Sequence, residues 1–213
     1  MARIGILGGS FNPAHGGHRH ISLQAMRRLG LDEVWWLVSP QNPLKEKAGM
    51  APLAARLAYA RKVARHPRIR PTALETELGT RYTVDTARAL VRRFPQHRFI
   101  WLMGADNLVQ LHRWRDWRRL CRTLPFAVAA RPDYIKAAHR AVAMGWLRRF
   151  RKSPARARRW TEWSLPAITF LRIPLDNRSA TAIRARRPDW ASAFQTAPSD
   201  NDLEDQDLER TRP

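Results

Sequence analysis

Two histidines three residues apart, His15 and His18, follow a glycine pair in the segment Gly8-Gly9-Ser10-Phe11-Asn12-Pro13-Ala14-His15-Gly16-Gly17-His18. An imidazole can ligate a metal or donate a hydrogen bond to an oxyanion. On the first turn of a helix, residues three apart face the same way, and the turn itself offers unpaired N–H groups to an anion. No cysteine or acid lies beside the pair, so a metal would need further ligands from elsewhere, and phosphate is the favoured partner. Gly8 and Gly9 read as a turn where a side chain would obstruct a phosphate approaching the backbone. The later glycines of a dinucleotide fingerprint are missing, and no Gly-Lys-Ser/Thr follows, which argues against an ordinary dehydrogenase and a P-loop enzyme.

Near the other end, Ser179-Ala180-Thr181-Ala182-Ile183-Arg184 places two hydroxyls at the start of a short helical pattern and a cation one turn on. Both suit a phosphate. Lys45, in the loop Pro40-Gln41-Asn42-Pro43-Leu44-Lys45, is either a mobile charge over phosphates or an ordinary loop lysine. Asp106 follows the apolar run Phe99–Met103, at the strand end where open parallel sheets bind ligands. A carboxylate there can accept hydrogen bonds from ribose hydroxyls. Trp114 is either core or a stacking platform, Arg115 can offer a backbone N–H, and Thr83 a hydroxyl.

Positioning these groups requires alternating strands and helices. Strands are expected at Ile4–Leu7, Val34–Val38, Ile69–Thr72, Phe99–Met103, Phe126–Ala129 and Ile168–Arg172. Helices are expected at His18–Leu29, Pro52–Arg65, Thr83–Phe94, near Trp114–Cys121, at Tyr134–Phe150 and at Thr181–Arg186. This alternation is the pattern of βαβ units around a parallel sheet.

The chain of 213 residues is 44% hydrophobic, enough for one well-buried α/β domain over 1–190. No stretch approaches the ~20 apolar residues that cross a bilayer, no secretory signal is evident, and a lone cysteine, Cys121, rules out an internal disulfide framework. A cytoplasmic protein without a membrane partner is expected. The net charge is +21. Residues 191–213 carry six acids against Arg210 and Arg212, so the rest holds about +25, and this polar acidic tail is expected to lack order. Arg148 to Arg159 holds seven basic residues, either an exposed helix end or a polyanion patch. Arginine outnumbers lysine throughout, which favours composition over a nucleic-acid role.

The first segment resembles the GGxFxPxHxGH signature of the adenylyl- and cytidylyltransferase superfamily, and Ser179–Arg184 resembles its second signature, ISSTxxR. Tyr82-Thr83-Val84-Asp85-Thr86 is similar to the YTxDT segment of bacterial nicotinate-nucleotide adenylyltransferases. Phe99–Leu108 is similar to their strand ending in GADNL, and Trp114 and Trp117 follow at the expected distance. The resemblance covers about Arg3 to Arg187. It implies an α/β fold of nucleotidyltransferase type, a Rossmann-like parallel sheet flanked by helices. It also implies transfer of the adenylyl group of ATP to nicotinate mononucleotide, giving deamido-NAD and pyrophosphate in NAD biosynthesis.

The same resemblance implies ATP binding by Gly8, Gly9, Ser10, Phe11, His15, His18, Lys45, Ser179, Thr181 and Arg184, with His18, His15, Lys45 and Arg184 catalytic. Nicotinate-nucleotide binding falls to Thr83, Asp106, Trp114 and Arg115. Mg²⁺ is expected to accompany ATP, with no protein metal site, and the oligomeric state stays open between monomer and homodimer. The sequence departs from the family pattern at Asn12, often aspartate; at Leu44, in a histidine's place; at Ala180, in place of serine; and at Arg178, in place of an apolar residue. Preference for nicotinate over nicotinamide mononucleotide stays open.

Overall fold

The computed structural model describes residues 1–40, 49–129, 134–171, 173–174 and 178–194. In chain order its elements are β1 (Arg3–Gly9), α1 (Gly16–Leu29), β2 (Glu33–Val38), α2 (Leu53–Ala64), β3 (Ile69–Thr72), α3 (Leu74–Glu77), α4 (Thr83–Arg93), β4 (Arg98–Gly104), α5 (Ala105–Gln110), α6 (Trp117–Thr123), β5 (Phe126–Ala129), α7 (Ile135–His139), α8 (Val142–Leu147), β6 (Ile168–Leu171) and α9 (Ala180–Arg186). Short 3₁₀ turns lie at Leu111–Arg113, Arg148–Phe150, Pro154–Glu162 and Ser192–Phe194.

The strands form a six-stranded sheet in the order β3-β2-β1-β4-β5-β6, and every pairing is parallel. The chain starts in the middle, builds outward through β2 and β3, then returns to β4 on the other edge of β1. The order therefore reverses between β1 and β4, and open sheets of this kind bind ligands in the crevice beyond the strand ends at such a switch.

Side chains alternate across the pleat and supply two cores. Ile4, Ile6, Phe99, Trp101 and Met103 pack on one face with Val84, Ala87 and Leu90 of α4. Leu7, Trp36, Ile100 and Leu102 pack on the other with Ala25, Met26 and Leu29 of α1 and Leu57 and Ala60 of α2. Helices thus cover both faces, which parallel sheets require.

The helical expectations need three corrections. The single helix expected at Tyr134–Phe150 is α7, then α8, then a 3₁₀ turn, because Ala141 takes extended backbone (ψ 143°). The helix expected from Trp114 starts at Trp117, because Trp114 is extended and Asp116 is left-handed (φ 46°). The brief helices α3 and α5 were not anticipated; α5 follows the last residue of β4 directly, so no turn residues announce it.

Within Arg148–Arg159, Lys152 is half-buried and the other basic side chains are exposed. The segment itself is docked: Trp160 is buried and its Nε1 donates to the Leu29 carbonyl at 3.1 Å. The chain also stays packed past residue 190. Trp190 and Phe194 each set an edge against Tyr59 of α2, at 5.1 Å between ring centres.

Candidate active site

Beyond the C-terminal ends of β1 and β4 lies a cavity of about 620 Å³, within the usual range for small-molecule sites. Its first wall is the loop from Gly8 to His18. Gly8 is required by packing: a Cβ would sit 2.8 Å from the Trp101 ring. At Gly9 a Cβ would make only ordinary contact with Phe11. The need for a bare backbone at Gly8 therefore comes in part from packing within the sheet.

Phe11 holds a left-handed backbone (φ 45°) and is 2% exposed. Its ring stacks on Trp36 at 5.2 Å and lies 4.7 Å from the His18 ring. The Phe11 ring is thus a buried backing for His18. Asn12 is buried, and its amide works in both directions. Nδ2 donates to the Gly49 carbonyl at 2.8 Å while Oδ1 accepts from the Ala51 N–H at 3.1 Å. An aspartate could not make the first bond, which gives the departure at position 12 a physical reason.

His15 is the N-cap of α1 and His18 its third residue. The Nδ1 of His15 accepts the Gly17 N–H, and the Nδ1 of His18 accepts the His15 N–H, each at 3.1 Å. This is a capping box built from imidazoles, in place of the usual hydroxyl and carboxylate. Because each Nδ1 is an acceptor, each neutral ring carries its proton on Nε2. Behind them the Ser22 hydroxyl donates to the His18 carbonyl and accepts from Trp36 Nε1, both at 2.8 Å.

The second wall is the start of α9. The Ser179 hydroxyl accepts the Ala182 N–H at 3.2 Å and caps the helix. Arg184 reaches across to the first wall. Its Nη1 donates to the Asn12 carbonyl at 2.5 Å, and its Nη2 donates to the Thr181 hydroxyl at 3.3 Å. The two segments singled out in the sequence are therefore joined directly.

Opposite them stand Thr83 at the start of α4, Asp106 in the first turn of α5, and Trp114 at the end of its 3₁₀ turn. Arg115 lines the cavity too, with its guanidinium 4.6 Å over the Tyr82 ring. Gly8, Gly9, Ser10, Phe11, His15, His18, Ser179, Thr181 and Arg184 line the same cavity. Lys45 lies outside the described residues. Among those residues no three His, Cys, Asp or Glu side chains converge as a metal site. Cys121 is buried, and desolvation pushes its thiol up to about 12 against a smaller opposing effect of Arg122, so it is no nucleophile.

Two buried groups went unnoticed in the sequence. Arg56 is 1% exposed and donates to four backbone carbonyls: Ser10 and Ser39 at 2.7 Å, Ala51 at 2.8 Å and Pro40 at 3.1 Å. It ties the loop after β1 to the end of β2 and the approach to α2. Its signal was a cation sharing the buried stripe of α2 with Ala60 and Ala64, four and eight residues on. Glu75 is also buried and lines the cavity. Desolvation raises its pKa, while hydrogen bonds from Ser39 and Thr86 work in the opposite direction. No periodic pattern marks it.

Comparison with known proteins places this architecture. A cytidylyltransferase-like family model matches residues 6–186. The chain is 57% identical over 194 residues to an Erythrobacter litoralis protein named "probable nicotinate-nucleotide adenylyltransferase", covering 91% of this chain and 89% of that one. A Parvibaculum lavamentivorans protein of the same name is 53% identical over 86% of this chain and 92% of its own. Among solved structures, Plasmodium falciparum nicotinic acid mononucleotide adenylyltransferase complexed with NaAD superposes with a TM-score of 0.63 at 14% identity. That match covers 87% of this chain and 83% of the other and establishes a shared fold. Among the described residues, no helix is long and apolar enough to cross a membrane.

Proposed function

The chain belongs to the cytidylyltransferase-like family, among its nicotinate-nucleotide adenylyltransferases, and we propose that the cavity beyond β1 and β4 is where it makes deamido-NAD and pyrophosphate from ATP and nicotinate mononucleotide. The observation that carries the assignment to this cavity is the meeting of two chemistries there. One wall presents imidazoles, hydroxyls and Arg184, and the other presents Asp106, Trp114 and Thr83.

The acceptor's 5′-phosphate oxygen attacks the α-phosphorus of ATP in line. A new P–O bond forms, the bond to the bridging β-phosphate oxygen breaks, and pyrophosphate leaves. The attacking phosphate is largely ionised at neutral pH, so no base is needed to remove a proton. The histidine geometry agrees with that economy. Both rings use Nδ1 as an acceptor, which leaves them as Nε2–H donors and not bases. His18 stabilises charge at the α-phosphate, and His15 contacts the phosphates beside it. Arg184 and Lys45 offset the charge of the β- and γ-phosphates and the leaving pyrophosphate. Catalysis then rests on alignment and charge stabilisation.

Ser179 and Thr181 contribute hydroxyls, and Gly8 to Phe11 form the floor. Asp106 accepts from ribose, Trp114 stacks on the pyridine ring, and Thr83 and the Arg115 backbone receive its carboxylate. Mg²⁺ would be held by the phosphates of ATP, where it would offset their charge alongside Arg184. The partners are small molecules, and the setting is the cytoplasm.

The test is a matched assay with ATP and either nicotinate or nicotinamide mononucleotide, reading deamido-NAD and NAD separately. The expected result is selective formation of deamido-NAD. Preference for the amide would overturn the acceptor assignment and leave adenylyl transfer standing.

A further inference from the structure

Glu75, in the short helix α3, brings a carboxyl that is only 7% exposed into the lining of the cavity. Burying an acid costs desolvation, so stability alone is a poor reason for a side chain of this kind. Its hydrogen bonds lead in two directions. On one side, Oε1 accepts the Thr86 hydroxyl at 3.2 Å. Thr86 is fully buried and is the fourth residue of α4, one turn beyond Thr83. Its oxygen lies 2.9 Å from the hydroxyl of Thr80, whose backbone N–H donates to the Glu75 carbonyl at 2.9 Å. Each hydroxyl has one proton to give. Thr80 donating to Thr86, and Thr86 to Glu75, is a single chain that ends on the carboxyl.

On the other side, the Ser39 side chain donates to Glu75. Ser39 follows the last residue of β2. Its N–H donates to the Gly9 carbonyl at 2.9 Å, and its carbonyl accepts from Arg56 at 2.7 Å. Glu75 thus connects α4, which carries Thr83 on the acceptor wall, to Gly9 on the phosphate wall. Val84, Ala87 and Leu90 hold α4 on the sheet by apolar contact. Such contact is not directional. The hydroxyl–carboxyl chain is directional, and it fixes where on the sheet the start of the helix sits.

We propose that Glu75 is a positioning residue. It sets the register of the acceptor wall against the phosphate wall, and with it the approach of the acceptor's 5′-phosphate to the α-phosphorus of ATP. Each substrate keeps its own wall when Glu75 is lost. Binding is therefore spared and the transfer step suffers, because in-line attack depends on close alignment of the reacting atoms. The inference rests on the adenylyl-transfer reading above.

The test compares Glu75→Met, Glu75→Gln and Thr86→Val with the wild type at neutral pH. It reads the single-turnover rate of deamido-NAD formation, calorimetric titrations with ATP and with nicotinate mononucleotide separately, and a urea melt. Glu75→Met is expected to slow the single turnover about 10–100-fold, with both dissociation constants within about twofold of wild type. Glu75→Gln keeps the length and the hydrogen-bonding capacity of the side chain and recovers most of the rate. Thr86→Val removes the same link from its other end. It should slow the reaction alone and add no more than about twofold in the Glu75→Met background.

An unchanged rate in Glu75→Met overturns the proposal, whatever the melt shows. So does a loss of binding as large as the loss of rate, which would make Glu75 a substrate contact, or an equal loss in Glu75→Gln. Should Glu75→Met fail to fold, Thr86→Val decides on the same criteria. A wild type that binds both substrates but forms no dinucleotide removes the activity and this proposal with it. Normal wild-type turnover with an unaffected Glu75→Met removes this proposal alone.

Discussion

His15 and His18 cap the same helix through each other. The backbone N–H of His15 donates to the ring of His18, the ring of His15 receives the Gly17 N–H, and the two rings lie 3.9 Å apart. One arrangement thus starts α1 and fixes both tautomers, on two residues that line the cavity. Structure and chemistry are coupled here, and a substitution tests both.

His18→Ala is expected to lower kcat by about 10²–10³-fold, as for loss of a transition-state donor. Loss of its arm of the cap should cost about 1 kcal/mol of stability. Turnover and a urea melt on the same preparation separate the two. Near-normal turnover with a normal fold would remove His18 from the mechanism.

Trp114→Ala addresses the acceptor. Loss of a stacking platform should raise the KM for nicotinate mononucleotide about tenfold, from a stacking contribution of ~1–3 kcal/mol. The KM for ATP should stay put, as measured by varying each substrate against saturating levels of the other. Equal changes in both constants would mean that Trp114 acts on the fold.

Arg56→Met removes the donor for the carbonyls of Ser10, Ser39, Ala51 and Pro40. Buried acceptors left without partners should cost ~2–5 kcal/mol, read from the urea midpoint. Arg56→Lys should recover only part of this, because an ammonium cannot span the same carbonyls as a guanidinium fork. A midpoint matching wild type would show that the loops hold without this brace.

Glu75 predicts a pH effect with a definite sign. Burial raises its pKa, so the folded protein holds this proton more tightly than the unfolded chain. The resulting stability is fully present below the ordinary carboxylate range and is lost as pH rises through the folded pKa. Glu75→Gln should therefore gain on wild type as pH rises from the acid range toward neutrality, and the two should converge in acid. Urea melts across that range check this, and a gap independent of pH would contradict it.

Much of this molecule was visible in its residues. Five of the six strands announce themselves as short apolar runs, β3 (Ile69-Arg70-Pro71-Thr72) being the weakest signal, and their alternation with amphipathic stretches such as Thr83–Arg93 yields the parallel sheet. The candidate site was legible where chemistry compresses into short motifs, at Gly8–His18 and Ser179–Arg184, which line one cavity. It was illegible where tertiary contacts decide. Nothing local shows that Gly8 must clear Trp101, that Asn12 needs a donor for Gly49, or that Arg178 folds onto Gly16. The break at Ala141 has no glycine or proline to mark it. Arg56 hid for a related reason: a charge on a buried stripe is recognisable, but the carbonyls it serves come from distant segments.

The bond from Arg184 to Asn12 spans 172 residues of chain. β1, which carries the first wall, lies between β2 and β4 and is completed only when both have formed. On the ribosome, the loop of the first wall is among the first segments made, and its brace is among the last. A nascent chain therefore carries His15 and His18 for most of its synthesis without the segment that Arg184 brings across to them. Chains terminated before α9 would lack Arg184, and with it the bond that joins the two walls of the cavity.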